Sequence, residues 1–134
     1  MTEKAVLSSE ARTPIGRMCW ALAEGYLPEW SNGPAPEMES HETLCFLNAS
    51  DIDAEVSLRI YFSDREPVGP YHVQVPARRT KHLRLTALDD PEPLPRGKEY
   101  AAVVESNTPI VVQQTRLDSR QAENALLSTI AFPG

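Results

Sequence analysis

Apolar and polar positions alternate with a period of two along most of the chain. The clearest run is Ala54 to Phe62, AEVSLRIYF. Val56, Leu58, Ile60 and Phe62 point one way and Glu55, Ser57, Arg59 and Tyr61 the other, which is the signature of a half-buried strand. Arg17 to Glu24 and His41 to Asn48 are apolar on both faces and predict more central strands. Tyr71 to Val75, Thr80 to Thr86, Tyr100 to Ser106, Ile110 to Leu117 and Leu126 to Phe132 carry the Val, Ile, Leu, Thr and aromatic residues that strands favour.

Turn chemistry fills the gaps. Asn32-Gly33-Pro34 and Pro36 punctuate the first long connection, and Asp51 and Asp53 sit between two strands as in a hairpin loop. Val68-Gly69-Pro70, Val75-Pro76-Ala77 and Asn107-Thr108-Pro109 predict corners, and Asp89 to Pro95, DDPEPLP, predicts a stiff acidic connector. The chain has 12 prolines, nearly all between apolar runs, which suits many short strands. About eight strands with little helix predict an all-β fold, an antiparallel β-sandwich of jelly-roll type. Asp118 to Leu127, DSRQAENALL, offers both a capped helical turn and a loop into the final strand; the loop is the preferred reading.

Length and charge narrow this further. At 134 residues the chain fits one domain, residues 16–134, behind a polar N-terminal tail, residues 1–15. It has no apolar run long enough for a membrane helix, and MTEKAVLSSEARTP lacks the basic-then-apolar order of a secretory signal. Cys19 and Cys45 each lie inside an apolar run, with no metal-ligand spacing, and read as small buried hydrophobes. Together these features predict a cytoplasmic protein without a cofactor or metal. A formal net charge of −6 works against general affinity for nucleic acid.

The candidate chemistry is therefore local. No nucleophile elbow, zinc-protease helix, phosphate loop or dinucleotide fingerprint occurs, so catalysis is the minority reading. It would have to come from Glu24, Glu42 and Asp118, should the fold gather them. His41 and Glu42, adjacent on a strand, face opposite sides. In IVVQQTRLD, alternation puts Ile110, Val112, Gln114, Arg116 and Asp118 on one face, so an apolar face ends in an Arg that Asp118 could orient. Arg120, Gln121, Glu123 and Asn124 follow, making this the densest donor and acceptor cluster in the chain. A purely structural ion pair competes with a binding role. Tyr26 and Trp30 lie in a Pro/Gly-rich connection with Glu24, Glu29 and Asn32. Exposed rings beside hydrogen-bonding groups suit sugar recognition, and anchoring of the loop competes with it. VPARRTKHLRL, Val75 to Leu85, holds four of the 13 Lys and Arg residues. Arg78, Arg79, Lys81, His82 and Arg84 could form a partner or nucleic-acid surface, or a solvated strand whose cations discourage edge pairing.

The strings WALAEGYLP (Trp20 to Pro28), SHETLCFLNA (Ser40 to Ala49), IYFSDREPVGPY (Ile60 to Tyr71), VPARRTKHLRL and PIVVQQTRLDSRQAENALLSTIAF (Pro109 to Phe132) run in order through the chain. They resemble the Anabaena-type sensory rhodopsin transducer family from about Gly16 to Phe132. The resemblance implies an antiparallel β-sandwich protomer in a cyclic homotetramer and a non-enzymatic signalling or binding role. It implies as partners a membrane photoreceptor or other receptor, a sugar-like small molecule and, less strongly, DNA. The polar positions within the matching strings, among them Glu24, Ser40, His41, Glu42, Arg79, Lys81, His82, Arg116, Asp118, Ser119 and Arg120, are where a family ligand or subunit surface would map.

Overall fold

The computed structural model describes residues 14–32, 35, 39–121 and 125–134. The expected tail up to residue 13, the Gly33-Pro34 and Pro36 turn, and Glu123 and Asn124 lie outside the described residues. Eight strands form: β1 (Arg17–Tyr26), β2 (His41–Asn48), β3 (Ala54–Tyr61), β4 (Val68–Val75), β5 (Arg79–Arg84), β6 (Glu99–Asp118), β7 (Ala125–Ile130) and β8 (Phe132–Pro133). The helical content among the described residues is one 3-10 turn, Leu85–Ala87.

All strand pairs are antiparallel. One sheet runs β4-β3-β6-β1-β8. The other is built on the far end of β6, where β2 and β7 pair with it and β5 pairs with β2. The 20-residue β6 therefore belongs to both sheets: residues 99–106 pair with β1 and β3, β1 meets it again at Ile110 across a bulge, and residues 111–118 pair with β2 and β7. Inward-facing Phe46, Leu44, Val56, Leu58, Ile60, Val104, Ile110 and Val112 meet in one core, each at most 2% exposed. Two faces of alternating apolar residues packed on each other are the sandwich that the period-two pattern predicts.

Four local expectations are corrected. Asn107-Thr108-Pro109 does not end a strand but lies within β6. Pro109 is tolerated because it falls where β3 has left β6 and β2 has not yet joined, so its missing N–H removes no ladder bond. The Asp51 and Asp53 segment is not a hairpin loop, since β2 and β3 sit in different sheets and the chain crosses between them there. Val68-Gly69-Pro70 opens β4 rather than preceding it. The expected final strand divides at buried Ala131, where β7 leaves β6 and β8 moves to β1. Pro76-Ala77 is a corner as expected, closed by Arg78 in the left-handed region at φ 55 and by an Ala77 N–H to Asp53 hydrogen bond of 2.9 Å.

Leu58 is fully buried between the sheets. Leu58→Ala is expected to cost about 2–5 kcal/mol, read as a lower urea midpoint at unchanged slope.

Candidate functional site

Glu42 occupies a position that alternation reserves for core residues. It shares the inner face of β2 with Leu44 and Phe46 and is 0% exposed. A buried carboxylate is costly unless donors surround it. Two strands supply them. The Tyr26 N–H at the end of β1 donates to Oε1 at 3.2 Å, the Tyr100 hydroxyl from the start of β6 donates to the same oxygen, and Arg116 Nε donates to Oε2 at 2.5 Å. Glu42 and Arg116 stand directly opposite each other in the β2–β6 register. Burial, and then the negative charge of Glu42, push the Tyr100 phenol well above the usual tyrosine range, so it stays a neutral donor. Gly25 makes room for that ring, for a Cβ there would fall 2.3 Å from it.

The outer side of Arg116 faces a cavity of about 490 Å³ between β1 and β7. Gln114 and Arg116 contribute polar groups, Glu24 joins from β1, and Ser128 and Thr129 come from β7. Ala21, Ala23, Leu127, Ile130, Ala131 and Phe132 supply apolar surface. The volume is that of a small-molecule site.

A second cluster lies beside the first. Arg120 sits over the rings of Tyr26 and Trp30, 5.7 Å from each centroid. Asp118 grips the Arg120 guanidinium at 3.1 and 2.8 Å and accepts its backbone N–H at 3.1 Å. Those hydrogen bonds hold the Asp118 carboxyl below its ordinary pKa. The loop carrying Trp30 is tied to this strand end: Asn32 donates to the Ser119 carbonyl at 2.6 Å and to the Arg120 carbonyl at 2.5 Å. Buried Ser40 and Ser119 join the same seam through a Ser119 N–H to Ser40 Oγ bond of 2.9 Å. Arg96 clamps the loop from below, donating to the Pro28 and Ser40 carbonyls and pairing with Glu39.

The structure thus gathers Glu24, Tyr26, Trp30, Glu42, Arg116, Asp118 and Arg120 along one side, but in two groups. The expected Arg116–Asp118 pair does not form. The register of β6 runs unbroken from Gln113 to Asp118, so Arg116 and Asp118 stay in phase, but Glu42 engages Arg116 and Arg120 engages Asp118, while Leu117 and Ser119 are buried. Glu24, Glu42 and Asp118 form no acid/base pair, because Glu42 and Asp118 are each committed to an arginine. His41 does face away from Glu42; its ring nitrogens lie 2.9 and 3.3 Å from Arg84. The basic residues lie apart from the cavity, around edge strand β5, which pairs with β2 alone among the described residues. Arg78 pairs with Asp51 at 3.3 Å and Lys81 donates to the Gln74 carbonyl, while Arg79 and His82 are exposed. Cys19 and Cys45 are free thiols, half-buried rather than buried. Tyr100, Arg96 and the Ser40–Ser119 seam went unanticipated, since their partners lie 56 to 79 positions away. Gln114 was legible as inward-facing, in phase with Ile110 and Val112.

Residues 15–133 match the family described as Anabaena sensory rhodopsin transducer. The chain belongs to that family. A solved structure of the Anabaena sensory rhodopsin transducer is 58% identical, with a TM-score of 0.71 over 79% of this chain and 100% of that one. The crystal structure of Thermotoga maritima 1070 is 32% identical, with a TM-score of 0.80 over 90% of this chain and 97% of that one. No curated protein matches. For this family member, no helix among the described residues is long and apolar enough to cross a membrane, and no group of His, Cys, Asp and Glu among them could hold a metal ion.

Arg116→Ala strands the Glu42 charge and is expected to cost about 3 kcal/mol. Adding Glu42→Leu is expected to recover much of it, so a urea double-mutant cycle reads the pair directly. The Asp118 pKa is lowered on folding, so its contribution is complete above the ordinary carboxylate pKa and is lost as pH falls through the lowered value. The indole N–H resonance of Trp30 is expected to shift in acid below about pH 4, and Asp118→Asn is expected to abolish that titration.

Proposed function

We propose that this family member is a non-enzymatic binding and relay module that takes a sugar-like small molecule in the cavity between β1 and β7. The observation that carries this is the cavity itself: a volume of about 490 Å³ in which Gln114 and Arg116 meet apolar walls. Membership of a family described as a transducer supports a relay role, and no relative is described as an enzyme. The Arg120, Tyr26 and Trp30 cluster flanks the cavity as an accessory contact, with Trp30 57% exposed. Glu42 serves behind the cavity wall rather than touching the ligand.

The module works as a homotetramer in the cytoplasm. Leu126 on β7 is 68% exposed and lies outside the cavity lining, and the apolar patch around it suits a subunit contact. In a cyclic assembly this patch meets a different patch on the next protomer. A receptor, of which a membrane photoreceptor is the family's example, would be engaged by the assembly. DNA binding through Arg78, Arg79, Lys81, His82 and Arg84 is the weaker reading, because the chain is acidic and cations on an edge strand also guard against edge-to-edge pairing.

A thermal-shift panel of sugars, sugar acids and sugar phosphates tests the binding reading. A ligand at about 100 times its dissociation constant adds about 2.7 kcal/mol, and Gln114→Leu is expected to remove the shift. No stabilisation by any member rejects it. Light scattering is expected to give a tetramer that Leu126→Glu dissociates; a monomer at micromolar concentration rejects the assembly.

A further inference from the structure

We propose that the cavity selects a neutral amphipathic ligand, with a hydroxyl- or amide-bearing head and an apolar tail, and that Glu42 is the residue that turns acidic ligands away. The inference rests on the reading that this cavity binds a small molecule, and it names the ligand class.

Gln114 carries the head-group argument. It lines the cavity, is 7% exposed, and its side-chain amide has no hydrogen-bond partner among the described residues. No buried side-chain atom there is sealed from solvent without a partner, so the amide opens onto the cavity. An amide with two donors and an acceptor recognises a group that can both give and take a hydrogen bond. Arg116 stands in the same wall. Its Nε is spent on Glu42, and its Nη2 reaches only the Glu24 carbonyl, at 3.4 Å. The outer edge of the guanidinium remains for a ligand oxygen.

Charge balance decides against an acid. The Arg116 cation is cancelled by the fully buried Glu42 carboxylate 2.5 Å away. The other ionisable group in the lining is the exposed Glu24, so the cavity and the wall behind it sum to one negative charge. An anionic ligand would lose its hydration and gain no net attraction. The tail argument comes from Ala21, Ala23, Leu127, Ile130 and Phe132, which give the cavity apolar surface beside its polar groups.

Titration calorimetry of the intact assembly tests this with three probes: phenyl β-D-glucopyranoside, D-glucose and phenyl β-D-glucuronide. The neutral phenyl glucoside is expected to bind at least about tenfold tighter than the other two, a factor worth about 1.4 kcal/mol. Glu42→Gln leaves Arg116 uncompensated and is expected to move the glucuronide-to-glucoside affinity ratio about tenfold toward the acid. Should that variant fail to fold, Glu24→Gln at the exposed mouth is expected to move the ratio the same way by a smaller factor. A wild-type protein that prefers the glucuronide, or binds glucose as tightly as the phenyl glucoside, overturns the proposal. So does a ratio that moves in neither variant, or phenyl glucoside binding that appears only as the assembly dissociates, which would mean that a second copy fills the cavity. Failure of all three probes beside a sugar or sugar acid that stabilises in the panel overturns this inference and leaves the binding reading standing. Failure of both experiments removes both.

Discussion

A single buried carboxylate ties the functional side of this molecule together. Glu42 lies where an apolar residue would cost less, and it remains there because Tyr26 on β1 and Tyr100 and Arg116 on β6 direct donors at both of its oxygens. Each donor also fixes a piece of the site. The Tyr26 N–H fixes the end of β1, so the Tyr26 ring is placed under Arg120. The Arg116 Nε bond fixes the guanidinium plane, so its outer edge faces the cavity. The Tyr100 hydroxyl fixes a ring that only Gly25 can accommodate. An apolar pair of similar volume could hold the sheets together but could not orient Arg116.

The same economy appears at the scale of the strands. β6 serves two sheets because it is long and because Pro109 falls in the short stretch, residues 107–109, that pairs with no neighbouring strand. With Arg116 held by Glu42, Asp118 is left to Arg120, and Ser119 beyond it packs on Ser40. Two clusters result from one stretch of sequence. One is buried at its root and opens into a cavity; the other is a cation held between two rings and a carboxylate at the surface. β7 then closes the cavity on one side while presenting Leu126 and Phe132 to solvent.

The strands were legible in the sequence because burial on one face of a sheet imposes a period of two, and that period is written locally. Ala54 to Tyr61 follows it over its whole length. His41 to Asn48 was legible in its bounds, and the long ordered strings shared with the transducer family pointed to the sandwich independently. Local turn chemistry was less reliable. Pro109 reads as a stop when only its neighbours are considered, and Asp51 and Asp53 read as a hairpin because a loop's sequence does not say which sheet the next strand joins.

The sequence by itself therefore determined the all-β class, most strand positions, the family, and the inward direction of Gln114. It also marked Glu24, Tyr26, Trp30, Arg116, Asp118 and Arg120 as the polar and aromatic positions worth gathering. Only the tertiary structure decided who pairs with whom. Glu42 and Arg116 are 74 residues apart, and they meet because the β2–β6 register sets them opposite each other. Asp118 and Arg116, two residues apart on one face of the strand, do not pair because Glu42 takes Arg116 and Arg120 takes Asp118. Alternation is a property of the local backbone, whereas register is settled by the packing of whole strands, so the first can be read along the chain and the second cannot.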